Sequence, residues 1–382
     1  MNAHHEVVVI GAGTLGLCTA LNLVQRGARA TVIEMASVAS GSSGRSVGVV
    51  GSQLTHEFDI GLRKFGLDQF AAWEQEGLRF NHIGYLRLAR NSAQMERFER
   101  SAQLQNALGI RSRVYEKEQL VTLVPHLNVD GLAGGIFGPD NGFLDPYEMC
   151  TFLADKIRTS GGRVMQSCKL LDVKRHDGGF ELVTTKETLR CTHVVNAAGA
   201  WATQIAQLLG QTLQVIPERH EAMVIHLSQP LDYTMPMVMD LVDGEGTGLN
   251  FRHDKPGELV AEIHRTQDAP PEDPDRYNEI CDEASKEHLA ELLLERVPDL
   301  PGAALGRGWA GLYPMSPDRQ PLVGRIDPRE PRIVTAAGAG GYGIQLAPAI
   351  GAIAAGWVMD DAPETLPDKG RLAPLPDRNL AH

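Results

Sequence analysis

The chain has 382 residues, 43% hydrophobic and 22% charged, a composition ordinary for a globular protein and a length that accommodates two cores. A formal net charge of −12 gives no electrostatic support for a nucleic-acid partner or an anionic membrane surface. The five cysteines, Cys18, Cys150, Cys168, Cys191 and Cys281, are scattered and lack C-x-x-C spacing, which reads as buried reduced thiols and argues against a disulfide framework or a zinc site.

The apolar run at residues 7–10 reads as a buried parallel strand. Gly11, Gly13 and Gly16 follow in G-x-G-x-x-G spacing, apolar residues then recur at helical intervals up to Gly27, and a second apolar run at 30–33 stops at Glu34. Strand, glycines, helix, strand and acid in that order form a dinucleotide-binding fingerprint. Gly11 permits the turn, Gly13 lets backbone approach a pyrophosphate, and Gly16 lets helix and strand pack closely. The helix N-terminus offers N–H groups to phosphates. Glu34 is placed to accept from a ribose diol, and its charge opposes a 2′-phosphate. NAD and FAD both remain open at this point. The nearness of this strand to Met1 leaves no room for a signal peptide, and no apolar run approaches the ~20 residues of a membrane helix, so the expected compartment is cytoplasmic.

Residues 37–53 form a loop of small residues with one cation, Arg45, and such a loop lets backbone crowd a ligand. Residues 57–80 read as an amphipathic helix with Phe58, Leu62, Phe65, Phe70 and Trp73 on its core side, 83–90 as a half-buried strand, and 93–109 as a polar-faced helix. Strand and turn material at 123–127 and 134–146 precedes a helix over 146–161, a strand over 163–168 and a hairpin turning at Asp177-Gly178-Gly179. Residues 189–201 repeat the pattern of an apolar strand ending in small residues. From 215 to 265 the pattern is β, 267–277 reads as an exposed loop, and 279–297 as an acidic helix. A strand at 332–335, a glycine cluster at 338–343, an apolar helix at 348–359 and a surface tail complete the chain. Strand–glycine–helix character therefore returns three times, with antiparallel β segments between, which points to an interleaved architecture.

Four blocks, VVVIGAGTLG with Glu34, SGSSGRSVG at 40–48, VVNAAGAW at 194–201, and 307–351, resemble the D-amino-acid oxidase superfamily of FAD-dependent oxidoreductases, whose members include glycine oxidase, sarcosine oxidase and dimethylglycine dehydrogenase. The resemblance selects FAD over NAD. It implies an α/β fold in which a Rossmann-like FAD-binding domain (1–80, 143–214 and 306–382) is interleaved with an α+β substrate domain on an antiparallel or mixed sheet (81–142 and 215–305). It implies that Gly11, Gly13, Gly16 and Glu34 hold the ADP half, with Ala198 and Gly199 against it and Val173 meeting the adenine through its backbone. Ser42, Ser43, Gly44, Arg45 and Ser46 would line the pyrophosphate and flavin side, and Gly340, Gly341, Gly343 and Ile344 the flavin ring, at which a helix from about 347 points its N-terminus.

Departures from the family pattern bear on chemistry. No cysteine precedes the Pro-Asp pair, where Trp309-Ala310-Gly311-Leu312 stand, so FAD is expected to be non-covalent. Tyr313 replaces an arginine that clamps substrate carboxylate, Gln345 replaces a lysine, and the oxygen-activating lysine falls near Val260. Candidate catalytic residues are Tyr313, Arg252 as a substitute carboxylate clamp, Gln345 and Tyr342 at the flavin edge, and His220 or His253 as wall residues; for each, ordinary packing or solvation is the plainer alternative. No metal is implied. The expected reaction is oxidation of a C–N bond in a small amino acid or secondary amine to an imine, with oxygen or another carrier as electron acceptor. Alternatives are a 2-hydroxy acid dehydrogenase or oxidase, which needs a base such as His220 or His253, and a flavin-bearing subunit of a hetero-oligomer. A homo-oligomer is equally open.

Overall fold

Residues 6–241, 248–264, 269–360 and 372 are described by a computed structural model of the chain. Strand Glu6–Ile10 is central to a six-stranded sheet, between Arg29–Ile33 and His193–Asn196. Arg163–Met165 extends one side, and Ile333–Ala337 followed by the antiparallel Leu322–Gly324 extends the other. The near-continuous burial of Glu6–Ile10 and Ile333–Ala337 matches a parallel sheet covered on both faces. Helix Thr14–Gln25 packs between this sheet and helices Pro146–Thr159 and Gly343–Met359. Hairpin Leu170–His176 and Gly179–Thr184 pairs with Thr188–Cys191 as a small separate sheet.

An eight-stranded sheet carries the remaining β segments, in the order Ala304–Met315, Ile216–His226, Glu258–His264, Gly248–Lys255, Met237–Leu241, Tyr85–Ala89, Gly134–Gly138 and Arg113–Glu116. All its pairings are antiparallel except Met237–Leu241 with Tyr85–Ala89. Strand alternation splits its residues into two sets. Leu249, Phe251, Leu259, Ala261, Ile263, Met223 and Ile225 form an apolar core with helix Glu283–Arg296. Asn250, Arg252, Glu262, His264, Glu218 and His220 point the other way, toward the small-residue loop.

Several expectations need correction. The C-terminal helix begins at Gly343, with Pro348 inside it, rather than near 347. Residues 340–359 reach the length and mean hydropathy (1.3) of a membrane span, against the expectation, but 78% of that window is buried within the protein, as a core helix requires. Within the strand and turn material, 123–127 supplies turns and Gly134–Gly138 and Gly142–Phe143 the strands, whereas 189–201 divides into two short strands. Ala304–Met315 belongs to the eight-stranded sheet, although 306 onward was grouped with the nucleotide-binding segments. Of the 267–277 loop, residues 267 and 268 lie outside the described residues, as does the tail apart from Leu372, which is buried.

Candidate active site

The first turn of the fingerprint is fixed by close packing. Gly11 adopts φ +110°, and a Cβ there would lie 2.4 Å from the Ala197 carbonyl oxygen; a Cβ at Gly16 would lie 2.0 Å from that of Gly11. Both positions exclude side chains, which brings the start of helix Thr14–Gln25 against the strand ends. The Thr14 amide donates to Ser43 Oγ at 3.1 Å, joining the helix N-terminus to the 40–48 loop. Glu34 Oε2 accepts from the Ala12 amide and Oε1 from the Ala36 amide, both at 2.9 Å, so the carboxylate is held at the end of its strand.

From this point a groove runs across the strand ends, lined by Gly11, Gly13, Glu34, Ser42, Ser43, Ser46, Ala198, Gly199, Gly340, Gly341, Gly343, Ile344 and Tyr313. It encloses about 1390 Å³ including its open mouth. Its course from Glu34 along the glycine turn and serine loop to Ile344 suits an extended ligand such as a dinucleotide. Two helix N-termini, at Thr14 and Gly343, open onto it, each a site for anionic groups. A smaller cavity adjoins it through Ser42, Ser46 and Tyr313 and is walled by Val47, His220, Glu262 and Trp309.

At the junction the rings of His220 and Tyr313 stack, with centroids 3.8 Å apart and planes at 15°. Burial pushes the Tyr313 hydroxyl well above its usual range, and the Glu262 charge adds to this, so the phenol stays protonated. His220 Nε2 lies 3.6 Å from Glu218 Oε2.

Other expected site residues are employed elsewhere. Arg252 donates through Nε and Nη2 to the Val47 carbonyl and through Nη1 to the His253 carbonyl and the Asp254 carboxylate; its plane lies 3.7 Å over Phe143. With four of five N–H groups committed it offers no fork for a substrate carboxylate, and its reading as a clamp is withdrawn. Gln345 Oε1 accepts from the Gly51 amide at 3.2 Å inside the core, which makes it a loop anchor rather than a flavin-edge group. Arg45 faces the smaller cavity and pairs with Glu279 at 2.6 Å. Tyr342 is 38% exposed, with the Arg63 guanidinium 5.3 Å from its ring, and does not line the groove. His253 pairs in register with Leu259 of the apolar face, away from the groove. Val173 packs on the core of the small sheet, while Cys168, Lys169 and Leu170 line the groove in its place. Gly44 lies inside the loop, close to the Ala39 carbonyl, rather than on the groove wall.

Sequence reasoning missed Glu262, Trp201 and Asp275. Trp201 Nε1 donates to Asp275 at 2.9 Å, so the loop read as exposed folds back to the groove wall. The Trp ending the VVNAAGAW block was the available signal; nothing local marked Asp275.

Comparison with known proteins agrees with this architecture. Mouse (Mus musculus) dimethylglycine dehydrogenase is 27% identical over 383 residues, covering 94% of this chain and 43% of that protein, so the chain spans less than half of that relative's length. Glycine oxidase of Geobacillus kaustophilus is 23% identical over 368 residues, 93% of each chain. The crystal structure of L-proline dehydrogenase from P. horikoshii superposes with a TM-score of 0.86 at 25% identity, covering 98% of both chains. The FAD dependent oxidoreductase family matches residues 6–357, nearly the whole described fold including both walls of the groove, and the chain belongs to that family.

Proposed function

We propose that the protein oxidises the C–N bond of a small amino acid or secondary amine to an imine, which water then hydrolyses to a carbonyl compound and the released amine. FAD, when bound, would supply the two-electron acceptor for the hydride lost from the carbon beside the nitrogen. The observation that carries this reading is the course of the groove, from Glu34 past the serine loop to Tyr313, where it meets the inward polar face of the eight-stranded sheet. On this reading Glu34 and the glycine turn hold the ADP half without a covalent link. The N-terminus of helix Gly343–Met359 stabilises negative charge gained by the ring, and the sheet excludes water. Tyr313 and His220 form one wall and position substrate. Residues 81–142 and 215–315 make up the substrate-facing part and the remainder the FAD-binding part. Relatives acting on dimethylglycine and glycine support an amine substrate.

A second reading, oxidation of a 2-hydroxy acid, draws on His220, which stands at the junction where a base for the hydroxyl proton would be needed. Anaerobic mixing of the FAD-loaded protein with panels of amines and hydroxy acids separates the two. Amines alone are expected to bleach the flavin absorbance; bleaching only by hydroxy acids establishes the second reading. Full FAD uptake with no reduction by either panel points to a subunit that needs a partner, and failure to bind FAD removes the proposal altogether.

A further inference from the structure

The polar face of the eight-stranded sheet would ordinarily meet water. Here it faces the nucleotide-binding half, and Glu262 stands near its middle. Register places Met239, Asn250, Glu262 and Ala222 in one row across four strands. Asn250 Nδ2 donates to Glu262 Oε1 at 3.0 Å, which fixes the carboxylate, and Glu262 lines the smaller cavity together with Tyr313. Burial raises the Glu262 pKa, opposed by the Asn250 hydrogen bond and the Arg252 charge. Tyr313 and Trp309 line the same cavity as Glu262, and the Glu262 charge adds to the upward shift of the Tyr313 phenol.

A carboxylate held in a cavity wall is costly unless a cation meets it. Among the described residues none makes an ion pair with Glu262. Arg252, the nearest cation of its own face, is spent on Val47, His253 and Asp254, and Arg45 of the same cavity is spent on Glu279. A carboxylate between aromatic walls is the arrangement that holds an alkylammonium ion, by charge-assisted hydrogen bonding and cation–π attraction. Arg45, which lines this cavity, already donates to the Glu279 carboxylate and to the Ala310 carbonyl.

Resting on the amine-oxidation reading, we propose that Glu262, with Tyr313 and Trp309 in the same cavity, binds the cationic nitrogen of the incoming substrate and accepts its N–H proton before the hydride leaves, so that the site selects alkylammonium compounds by their nitrogen and does not require a carboxylate. Glu262 is then the specificity-determining residue, in the role a carboxylate-clamping arginine plays in an amino-acid site.

The test uses the FAD-loaded protein, titrated at neutral pH with trimethylammonium chloride and, separately, with sodium acetate, following the flavin absorbance spectrum. The wild type is expected to show a saturable perturbation with trimethylammonium and one at least about tenfold weaker with acetate. Glu262→Gln is expected to lose at least about tenfold in trimethylammonium affinity, with FAD content and Tm unchanged, and Glu262→Asp to retain part of it. No saturable response of the wild type to trimethylammonium, tighter binding of acetate, or unchanged trimethylammonium affinity in Glu262→Gln overturns the proposal. Should Glu262→Gln fail to hold FAD, the two wild-type titrations decide. Flavin bleaching by the amine panel is read independently, so an intact ion response without bleaching counts against amine oxidation and leaves the cation site standing.

Discussion

The Arg252 guanidinium donates twice to the carbonyl oxygen of Val47, through Nε at 3.2 Å and Nη2 at 2.8 Å, although the two residues are 205 positions apart in the chain. This bond joins the eight-stranded sheet to the loop that walls the cofactor groove. Arg252→Met keeps an apolar stem but loses the guanidinium over Phe143, and leaves the half-buried Val47 carbonyl without its donor and Asp254 without its partner. A loss of about 2–4 kcal/mol is expected, together with weaker FAD retention. Denaturant unfolding and the flavin-to-protein absorbance ratio of the purified variant measure the two effects.

Gly16→Ala places a methyl group 2.0 Å from the Gly11 carbonyl, a backbone atom that cannot retreat without moving the strand. Gly13→Ala meets only the Ser43 hydroxyl, at 3.0 Å, which can rotate. Gly16→Ala is therefore expected to purify without FAD or not to fold, whereas Gly13→Ala folds and binds FAD more weakly. Flavin content and circular dichroism of the two variants, side by side, check the ranking.

Burial, aided by the charges of Arg87 and Arg319, lowers the His264 pKa to about 4. The unfolded chain takes up a proton near pH 6.5 that the folded protein refuses, so this group contributes stability above that pH which is lost as pH falls from about 6.5 to about 4. The upper limit of the loss is about 3.5 kcal/mol, at roughly 1.4 kcal/mol per pH unit. Glu262, with a raised pKa, acts in the opposite sense on acidification and partly offsets it. Thermal unfolding at pH 4.5 and 7.5 is expected to show a larger acid penalty in the wild type than in His264→Asn.

Asp240, 3% exposed, accepts from Arg90 Nη2 at 2.7 Å and from Arg296 Nε at 2.6 Å. Arg296 is itself 2% exposed, so Asp240→Ala strands a buried positive charge. A cost of about 3–5 kcal/mol is expected from breaking one side of a buried pair. The groove lies elsewhere, so protein that does fold should retain FAD. Urea midpoints and flavin content test both halves of the statement.

Much of the nucleotide site is written in contiguous residues. Gly11, Gly13, Gly16 and Glu34 fall within one strand–helix–strand unit, and act through steric and periodic rules that a sequence displays. The misread side chains are those whose partners are remote: Arg45 meets Glu279 across 234 positions, and Gln345 meets Gly51 across 294. Residue type alone showed each of these as polar and available, whereas their hydrogen bonds were already taken. Glu262 was invisible for another reason. In the alternating strand Glu258–His264 a glutamate opposite Leu259, Ala261 and Ile263 reads as the wet face, and only the packing of the 42–47 loop against it makes that face interior.

The six-stranded sheet also sets a timetable for synthesis. Its central strand, Glu6–Ile10, is made first, yet one flank waits for His193–Asn196 and the row is completed only by Ile333–Ala337. Such sequence separation makes folding slow and leaves apolar strand edges open while translation proceeds. The groove therefore comes into being only after the ribosome has delivered the strand and glycines at 333–343. Cofactor capture waits on the segment that supplies both the last parallel strand and the second glycine cluster.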